Sequence, residues 1–271
     1  MSYQQFDSND NQNQQFTPNE LLYLDGIEKT VADEVKLITR DFSGNALKNY
    51  INGLPGKGCL SSLQRELLIG AMLGDGTLRK GENTTNVNFK YELTIASSQL
   101  VIFMYFFFQE FVGTPVKICP RQTSNDSIWF RTYRLSELTH WYNIFYTVDA
   151  LGNRVRVVPD QLEKWITRLS LAIWFMDDGS KARDGYNIHT QCFTLADIRK
   201  LQQILGKKFH LEVTYHRDHR PKRGKTYYFL YIQKSTIPKF NALVEPFILP
   251  CMKYKLHNLR TPEEGIVDGE V

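Results

Sequence analysis

Two acidic residues stand at matching positions in the chain, each after an apolar run and before a glycine, as Asp75-Gly76 and Asp178-Gly179. Paired carboxylates bind divalent cations through hard oxygen ligands, and Mg²⁺ prefers one or two carboxylates together with substrate phosphate oxygens. In two-metal phosphodiester hydrolysis, ions about 3.5–4 Å apart activate water and stabilise the leaving oxygen. One Asp-Gly pair alone would indicate only a turn after a helix. The second copy favours a shared metal site.

Such a site requires two helices that end at the same place. The apolar spacing predicts helices over Leu63–Gly76 and Leu162–Gly179. Gly70 and Gly74 lie four residues apart on one face of the first helix, where they let another helix approach closely. Side-by-side packing of the two helices would bring the two acids together.

The order of elements around these helices occurs twice, offset by 103 residues. After the first helix we expect a half-exposed strand, an aromatic-rich helix, two strands and a helix, over Asn86–Ile95, Gln99–Val112, Val116–Arg121, Ile128–Arg134 and Glu137–Tyr146. After the second we expect the same order over Tyr186–Cys192, Ala196–Phe209, Leu211–Arg217, Thr226–Gln233 and Pro238–Val244. The repetition predicts an α+β fold of two halves related by a pseudo-twofold axis.

Positive charge is concentrated in the part of the chain that carries the repeat. Residues 61–260 hold 28 Lys and Arg against 17 Asp and Glu, a net charge of +11, whereas the whole chain carries +4. This excess is typical of a polyanion-binding domain, although charge alone is equally compatible with a solvated basic surface. We expect a disordered Gln- and Asn-rich tail, an extension without an assigned role, two repeats and an acidic tail, over 1–20, 21–60, 61–150, 151–260 and 261–271.

Composition argues against several classes of protein. No apolar run reaches the roughly 18 residues of a membrane helix, so we expect a soluble protein. Residues 1–28 contain no Lys or Arg and match neither a secretory signal nor a transit peptide. The four cysteines lack CxxC spacing, which argues against a zinc site and a disulfide framework and indicates buried thiols in a reducing compartment.

These motifs resemble the LAGLIDADG homing endonucleases, specifically the single-chain members with two motifs that organellar introns encode. The similarity lies in the nonapeptides Leu68–Gly76 and Leu171–Gly179 and in the segments Trp174–Gly179, Thr190–Thr194 and Pro250–Leu256. It covers about residues 61–260. The resemblance implies two saddle-shaped antiparallel sheets for DNA and a central interface of two helices.

The resemblance also implies an activity. Members of this family act as monomers on double-stranded DNA, hydrolyse two phosphodiester bonds across the minor groove of a long asymmetric target and leave short 3′ overhangs. The implied cofactor is Mg²⁺, for which Mn²⁺ substitutes. An organelle is the expected compartment if an intron there encodes the chain, and otherwise the nucleus or cytoplasm; secretion is not expected.

Four residues match the catalytic positions of the family. Asp75 and Asp178 match the final acid of each motif, which binds metal and directs hydrolysis. Lys255 matches one basic position beside the site, and Arg156 matches the other, where a Lys is more familiar. Because Arg keeps its proton at neutral pH, Arg156 could only stabilise charge or position water.

The chain departs from the family pattern in both motifs. Leu73 stands where the name-giving pattern has Asp, and Ile173 stands where a small residue is usual. We therefore expect a wider contact between the helices. Asp177 precedes the second catalytic acid, and neighbouring helical residues point in different directions. It is expected to be an exposed cap.

Side chains on the predicted strands could read DNA. Asn, Gln, Lys and Arg can pair bidentately with adenine or guanine edges, which gives the candidates Asn86, Asn88, Lys90, Lys117, Arg121, Arg131, His189 and Gln191. Taken singly, each is equally compatible with a solvated strand face. The cation-rich loop at 216–225 is expected to grip phosphates through Arg217, Arg220, Lys222, Arg223 and Lys225.

Two other functions stay open at this point. The first is an RNA maturase that assists splicing of its host intron on the same scaffold, and the second is a DNA-binding regulator without catalysis. Paired carboxylates favour the enzyme, because RNA binding alone makes no chemical demand for them. An intein is disfavoured, since Asn258 is followed by Leu259 and not by a nucleophile.

Overall fold

The computed structural model describes residues 60–81, 84–121, 125–218 and 226–258. The expected N-terminal tail, nearly all of the extension and the acidic tail lie outside these residues. So do four of the predicted phosphate contacts, namely Arg220, Lys222, Arg223 and Lys225.

Helices and antiparallel strands follow one another through the described chain, which confirms the predicted α+β class. The elements before residue 150 are α1 (Ser62–Leu73), β1 (Thr77–Lys80), β2 (Val87–Thr94), α2 (Ser98–Phe108), β3 (Lys117–Cys119), β4 (Ser127–Arg131), α3 (Ser136–Phe145) and β5 (Tyr146–Val148). Those after it are β6 (Arg154–Arg156), α4 (Leu162–Trp165), α5 (Arg168–Asp178), β7 (Gly179–Ala182), β8 (Gly185–His189), α6 (Leu195–Phe209), β9 (Val213–Asp218), β10 (Tyr227–Gln233) and α7 (Ile237–Val244). A 3₁₀ segment, Pro250–Lys255, follows α7.

The strands form two four-stranded antiparallel sheets with equivalent connectivity. Their orders are β1-β2-β4-β3 and β7-β8-β10-β9, so each sheet places its second and fourth strands at the centre. The hairpin β5-β6 lies between the two sheets in the sequence. The same order in both halves is the arrangement that an internal repeat requires.

One face of each sheet packs on helices through aromatic side chains. In the first half, the Phe89 ring centroid lies 5.2 Å from Phe108 and 5.9 Å from Phe130. In the second, Phe175 lies 5.2 Å from Tyr186. The opposite faces are available for other contacts. No helix within the described ranges is long and apolar enough to cross a membrane.

The helix that carries the second motif begins later than the sequence predicts. Leu162–Trp165 forms a separate short helix, and Ile166 has an extended backbone with φ −67° and ψ 126°. Thr167 then caps α5, because its side-chain oxygen accepts a hydrogen bond from the Ser170 N–H at 3.2 Å. The single helix predicted over Leu162–Gly179 is therefore wrong in its first turns.

Helices α1 and α5 pack directly against each other. A Cβ atom placed on Gly70 would lie 2.6 Å from the Ser170 carbonyl oxygen and 2.7 Å from the Ile173 Cβ. The Ser170 hydroxyl also donates to the Glu66 carbonyl oxygen at 2.8 Å. Ile173 does not hold the helices apart as expected, because it lies against Gly70.

The described cysteines are exposed rather than buried. Cys119 ends an edge strand, Cys192 follows β8, and Cys251 lies in the 3₁₀ segment. The expectation of buried thiols is wrong for these three, since none of them lies at a core position of a helix or strand.

We expect Gly70→Ala to lower the free energy of unfolding by about 1–3 kcal/mol, because the new methyl group has no room between the helices. The matched control is Gly206→Ala in α6, where the nearest atom to an added Cβ is the Leu211 carbonyl oxygen at 3.6 Å. That change should stabilise the protein by up to about 1 kcal/mol through helix propensity. Urea unfolding followed by circular dichroism measures both, and equal stabilities of Gly70→Ala and the wild type would contradict the close crossing.

Candidate functional site

The two motif helices end together. The Asp75 backbone N–H, just beyond α1, donates to the Asp177 carboxylate at the end of α5, with an N to Oδ2 distance of 3.3 Å. Asp178 is the last residue of α5 and is half-buried. The structure therefore places Asp75 and Asp178 at one end of the helix pair, as the sequence predicts.

The environment of the two acids disfavours their charged forms. Burial raises the pKa of Asp178 to about 7, and the charge of Asp75 adds to the increase, while Arg156 and Lys255 oppose it. Asp75 keeps a solvent-exposed edge, yet burial of its carboxyl group also raises its pKa. Two carboxylates that repel each other in a partly desolvated site gain from a bound cation.

This donor set fits a divalent cation such as Mg²⁺. Mg²⁺ is usually bound through one or two carboxylates plus substrate phosphates and several waters, and Asp75 and Asp178 supply two such groups. Among the residues that the structure describes, no cluster of three or more His, Cys, Asp or Glu side chains could hold a metal ion. The two carboxylates fit a divalent cation because they supply oxygen ligands and because a cation would offset the repulsion between their negative charges.

Each motif helix has a cation at its C-terminal end. Arg156, on β6, donates to the carbonyl oxygens of Met72 at 3.2 Å and Gly74 at 2.5 Å. Lys255, in the 3₁₀ segment, donates to the carbonyl oxygen of Met176. Positive charge at a helix C-terminus is stabilised by the helix dipole. Both predicted basic residues thus lie beside the acids, and burial lowers the pKa of Lys255.

Asp177 lies inside the site and not at an exposed cap. One of its carboxylate oxygens accepts from the Asp75 N–H, and the other accepts from the Tyr91 hydroxyl. The expectation of an exposed cap is wrong, because Gly74 leaves space for the Asp177 side chain. Neither Asp177 nor Tyr91 was predicted to belong to the site. The signal in the sequence was that Gly74 and Asp177 hold the same position in the two motifs.

The open face of the first sheet carries cations around an indole ring. In the strand register Lys90 lies opposite Arg131, and Lys117 lies opposite Trp129, so the four side chains share one face. The amine nitrogens of Lys90 and Lys117 lie 4.7 Å and 5.7 Å from the Trp129 ring centroid. Trp129 is not among the predicted contacts, because that prediction rests on side chains that can pair bidentately with base edges.

The two predicted asparagine contacts lie at the start of this face. Asn88 is only 6% exposed, and its side-chain oxygen has no hydrogen-bond partner. Asn86 is half-buried and precedes β2. The exposed Arg79 lies opposite Asn88 in the register and was not predicted.

The Glu92 carboxylate forms ion pairs with two of the predicted DNA contacts, Lys90 and Arg121. Glu92 accepts from the Ser127 hydroxyl at 2.7 Å and from Arg121 at 3.0 Å, and it also pairs with Lys90. Burial would raise the pKa of Glu92, but the hydrogen bonds from Lys90, Ser127 and Arg121 outweigh it and lower the pKa to about 2. Lys90 and Arg121 are therefore held in place within the protein.

The open face of the second sheet carries rings in place of cations. The His216 ring centroid lies 5.7 Å from Phe229 and 5.6 Å from Tyr231. The predicted contact His189 lies opposite Phe229, and its Nδ1 is 3.2 Å from the Gln191 amide nitrogen. The two sheets thus offer different chemistry.

The predicted phosphate contact Arg217 lies on the other side of the second sheet. In the register it is opposite Tyr228, so it shares a side with the buried Leu230 and not with the neighbouring His216. Its guanidinium donates to the Thr226 hydroxyl at 3.2 Å. Its contact with DNA stays a prediction.

We expect Glu92→Gln to lower the free energy of unfolding by up to about 3 kcal/mol at neutral pH, from a pKa of about 2 against the ordinary 4.5. Because the folded-state pKa is the lower one, this stability is present above pH 4.5 and is lost as the pH falls towards 2. Urea unfolding at pH 7 and pH 3 should show a difference from the wild type that shrinks at pH 3.

The control for this change is Glu163→Gln, which removes an exposed ion pair with Lys207. Exposed pairs contribute about 0–1 kcal/mol, so this variant should differ little from the wild type at either pH. A Glu92→Gln effect of the same size at pH 7 and pH 3 would contradict the ionised state of Glu92.

The fold of this chain is similar to that of a solved structure. The solved structure of the homing endonuclease I-WcaI bound to its DNA recognition sequence has a similar fold, with a TM-score of 0.64, 24% identity and coverage of 83% of this chain and 98% of that chain. At this identity the similarity concerns the fold.

Three relatives have similar sequences, each over slightly more than 70% of this chain. The cytochrome b mRNA maturase bI2 of Saccharomyces cerevisiae is 28% identical over 71% of this chain, which spans only 47% of that relative. The probable intron-encoded endonuclease 1 of Wickerhamomyces canadensis is 31% identical over 73% of this chain and 85% of its own length. The DNA endonuclease I-ChuI of Chlamydomonas applanata is 24% identical over 73% and 95%.

A family model matches most of the two repeats. Residues 65–240 match the family model of the LAGLIDADG DNA endonuclease family. This range includes α5, all but the first three residues of α1, both sheets and the two acids at the helix ends. The chain therefore belongs to the LAGLIDADG homing endonucleases.

Proposed function

We propose that the protein is a site-specific endonuclease that cuts both strands of a long asymmetric DNA target. It hydrolyses two phosphodiester bonds across the minor groove, leaves short 3′ overhangs and acts as a monomer with Mg²⁺ or Mn²⁺. The observation that carries the proposal is the placement of Asp75 and Asp178 at the joined ends of two helices, each helix end also bearing a cation.

The residues of the site have separable roles in this proposal. Asp75 and Asp178 would hold the divalent metal, which when bound supplies an activated water and stabilises the leaving oxygen. Arg156 keeps its proton at neutral pH, so it acts by opposing negative charge. Lys255, whose pKa burial lowers, is the cation of the two that can exchange a proton.

The two sheets would bind the two halves of the target by different means. Lys117 and Arg131 on the first sheet are exposed and suit phosphates or guanine edges. Phe229 and Tyr231 on the second sheet suit apolar contact with thymine methyl groups. The remaining predicted contacts, Asn86, Asn88, Lys90, Arg121, His189, Gln191 and the loop cations, are part of the same proposal. The difference between the cations of the first sheet and the aromatic rings of the second supports an asymmetric target.

We expect Asp75→Asn and Asp178→Asn each to reduce cleavage by about 100-fold or more, because each removes a charged ligand at the reacting phosphates. Targets are first obtained by in-vitro selection of cleaved sites from a DNA library with the wild type and Mg²⁺. Cleavage is then followed on gels, with EDTA expected to stop it and Mg²⁺ or Mn²⁺ expected to restore it.

The same assay separates the main alternatives. Undiminished cleavage by both Asn variants would overturn the assignment of the two acids. An RNA maturase is the second candidate, because the yeast relative carries that name. Tight binding to intron RNA without nicking of DNA under Mg²⁺ or Mn²⁺ would select it. An organellar intron as the source of the chain belongs to the same proposal, since relatives are named intron-encoded endonucleases.

We expect Arg131→Gln to weaken binding to the selected target and to reduce the slope of log affinity against log salt by about 1, as loss of one phosphate contact does. Lys207→Gln is the matched control, because it removes the same charge from α6, where Lys207 pairs with Glu163. Fluorescence anisotropy over a salt series in Ca²⁺ measures both slopes. Equal effects of the two variants would exclude a local contact at Arg131.

A further inference from the structure

The ends of the two motif helices are not equivalent, although both carry Asp-Gly. The residue before the acid is Gly74 in the first motif and Asp177 in the second. A Cβ atom added to Gly74 would lie 2.7 Å from the Asp177 Cβ and 3.0 Å from its Cγ. Asp177 therefore occupies the volume that the missing side chain of Gly74 leaves free.

Both oxygens of the Asp177 carboxylate face donors of this chain. Oδ2 accepts from the backbone N–H of Asp75 at 3.3 Å, and Oδ1 accepts from the Tyr91 hydroxyl. Tyr91 lies on the buried face of β2 with no solvent-exposed surface, so it anchors the carboxylate from the core of the first half. Two hydrogen bonds thus connect Tyr91 through the Asp177 carboxylate to the backbone N–H of Asp75, the residue whose side chain lies in the site.

We propose that Asp177 is a positioning residue that holds Asp75 and makes the two hydrolytic centres unequal. The inference rests on the proposed endonuclease function. Asp178 receives no carboxylate contact of this kind from the first motif, since the matching position across the pseudo-twofold axis is Gly74. Loss of the Asp177 contact should therefore slow hydrolysis of the strand that depends on Asp75 more than hydrolysis of the other strand.

Two simpler roles for Asp177 make different predictions. If it only fills space, a leucine of similar size should serve as well. If it is a third metal ligand shared by the two centres, its loss should slow both strands equally. Engagement of both its oxygens by Asp75 and Tyr91 favours positioning over metal binding.

The test uses Asp177→Leu, Asp177→Asn and Tyr91→Phe on a plasmid that carries the selected target. We expect Asp177→Leu to slow one strand by about 10- to 100-fold, because it leaves the Asp75 N–H and the buried Tyr91 hydroxyl without their hydrogen-bond partner, so that nicked circles accumulate. Asp177→Asn should recover most of the rate, because its amide oxygen can accept from Asp75 and its amide nitrogen can donate to the Tyr91 oxygen. Tyr91→Phe should slow the same strand less.

A second measurement does not depend on cleavage. Hydrogen exchange at the Asp75 amide should be about tenfold faster in Asp177→Leu than in the wild type, while Asp177→Asn keeps the protection. Asp160→Asn is the matched surface control, because Asp160 is exposed and pairs with Lys200. It should leave exchange at Asp75 and both strand rates unchanged.

The outcomes separate this inference from the function on which it rests. Equal slowing of both strands, or unchanged exchange at Asp75 in Asp177→Leu, would overturn the positioning role. Loss of both strands in Asp177→Asn would identify a metal ligand and would overturn it too. If the wild type cuts no target while exchange at Asp75 responds as expected, the endonuclease proposal fails and the contact from Asp177 to Asp75 stands.

Discussion

The direct contact between helices α1 and α5 is the constraint on which the rest of the structure depends. Gly70 has no side chain, so the second helix lies against its backbone, with Ser170 and Ile173 within contact distance. Because of this contact the C-terminal ends of the two helices lie side by side, and Asp75 and Asp178 lie close together. A bulkier crossing would separate the acids and with them the two sheets that the helices hold, because packed interiors tolerate little added volume.

The price of this geometry is electrostatic. Helix C-termini carry partial negative charge, and here each also bears an acid. Burial, together with the charge of Asp75, raises the pKa of Asp178 to about 7. Arg156 and Lys255 bond to the terminal carbonyl oxygens and offset part of that charge. DNA phosphates would add more negative charge, so the same site that is unfavourable alone is suited to a divalent cation.

A single chain allows the two halves to differ where identical subunits could not. The first sheet holds Lys117 and Lys90 around Trp129, whereas the second presents the rings of Phe229 and His216. At the helix ends the two halves differ in the size and charge of one residue, which is Gly74 in the first motif and Asp177 in the second. Divergence on the outer faces would suit the proposed DNA target without symmetry, and divergence at the helix ends reaches the two acids to which we assign catalysis.

Local patterns in the sequence determined the class of fold and the two acids, because periods of 2 and 3.6 residues and the Asp-Gly endings need only neighbours along the chain. Tertiary structure alone decided which side chains those patterns bring together. Asp177 accepts a hydrogen bond from Tyr91, which lies 86 residues away in the sequence. Glu92 pairs with Arg121 across the sheet. The break at Ile166 is likewise not visible in a continuous apolar period. These features depend on contacts between distant segments, where packing outweighs local preference.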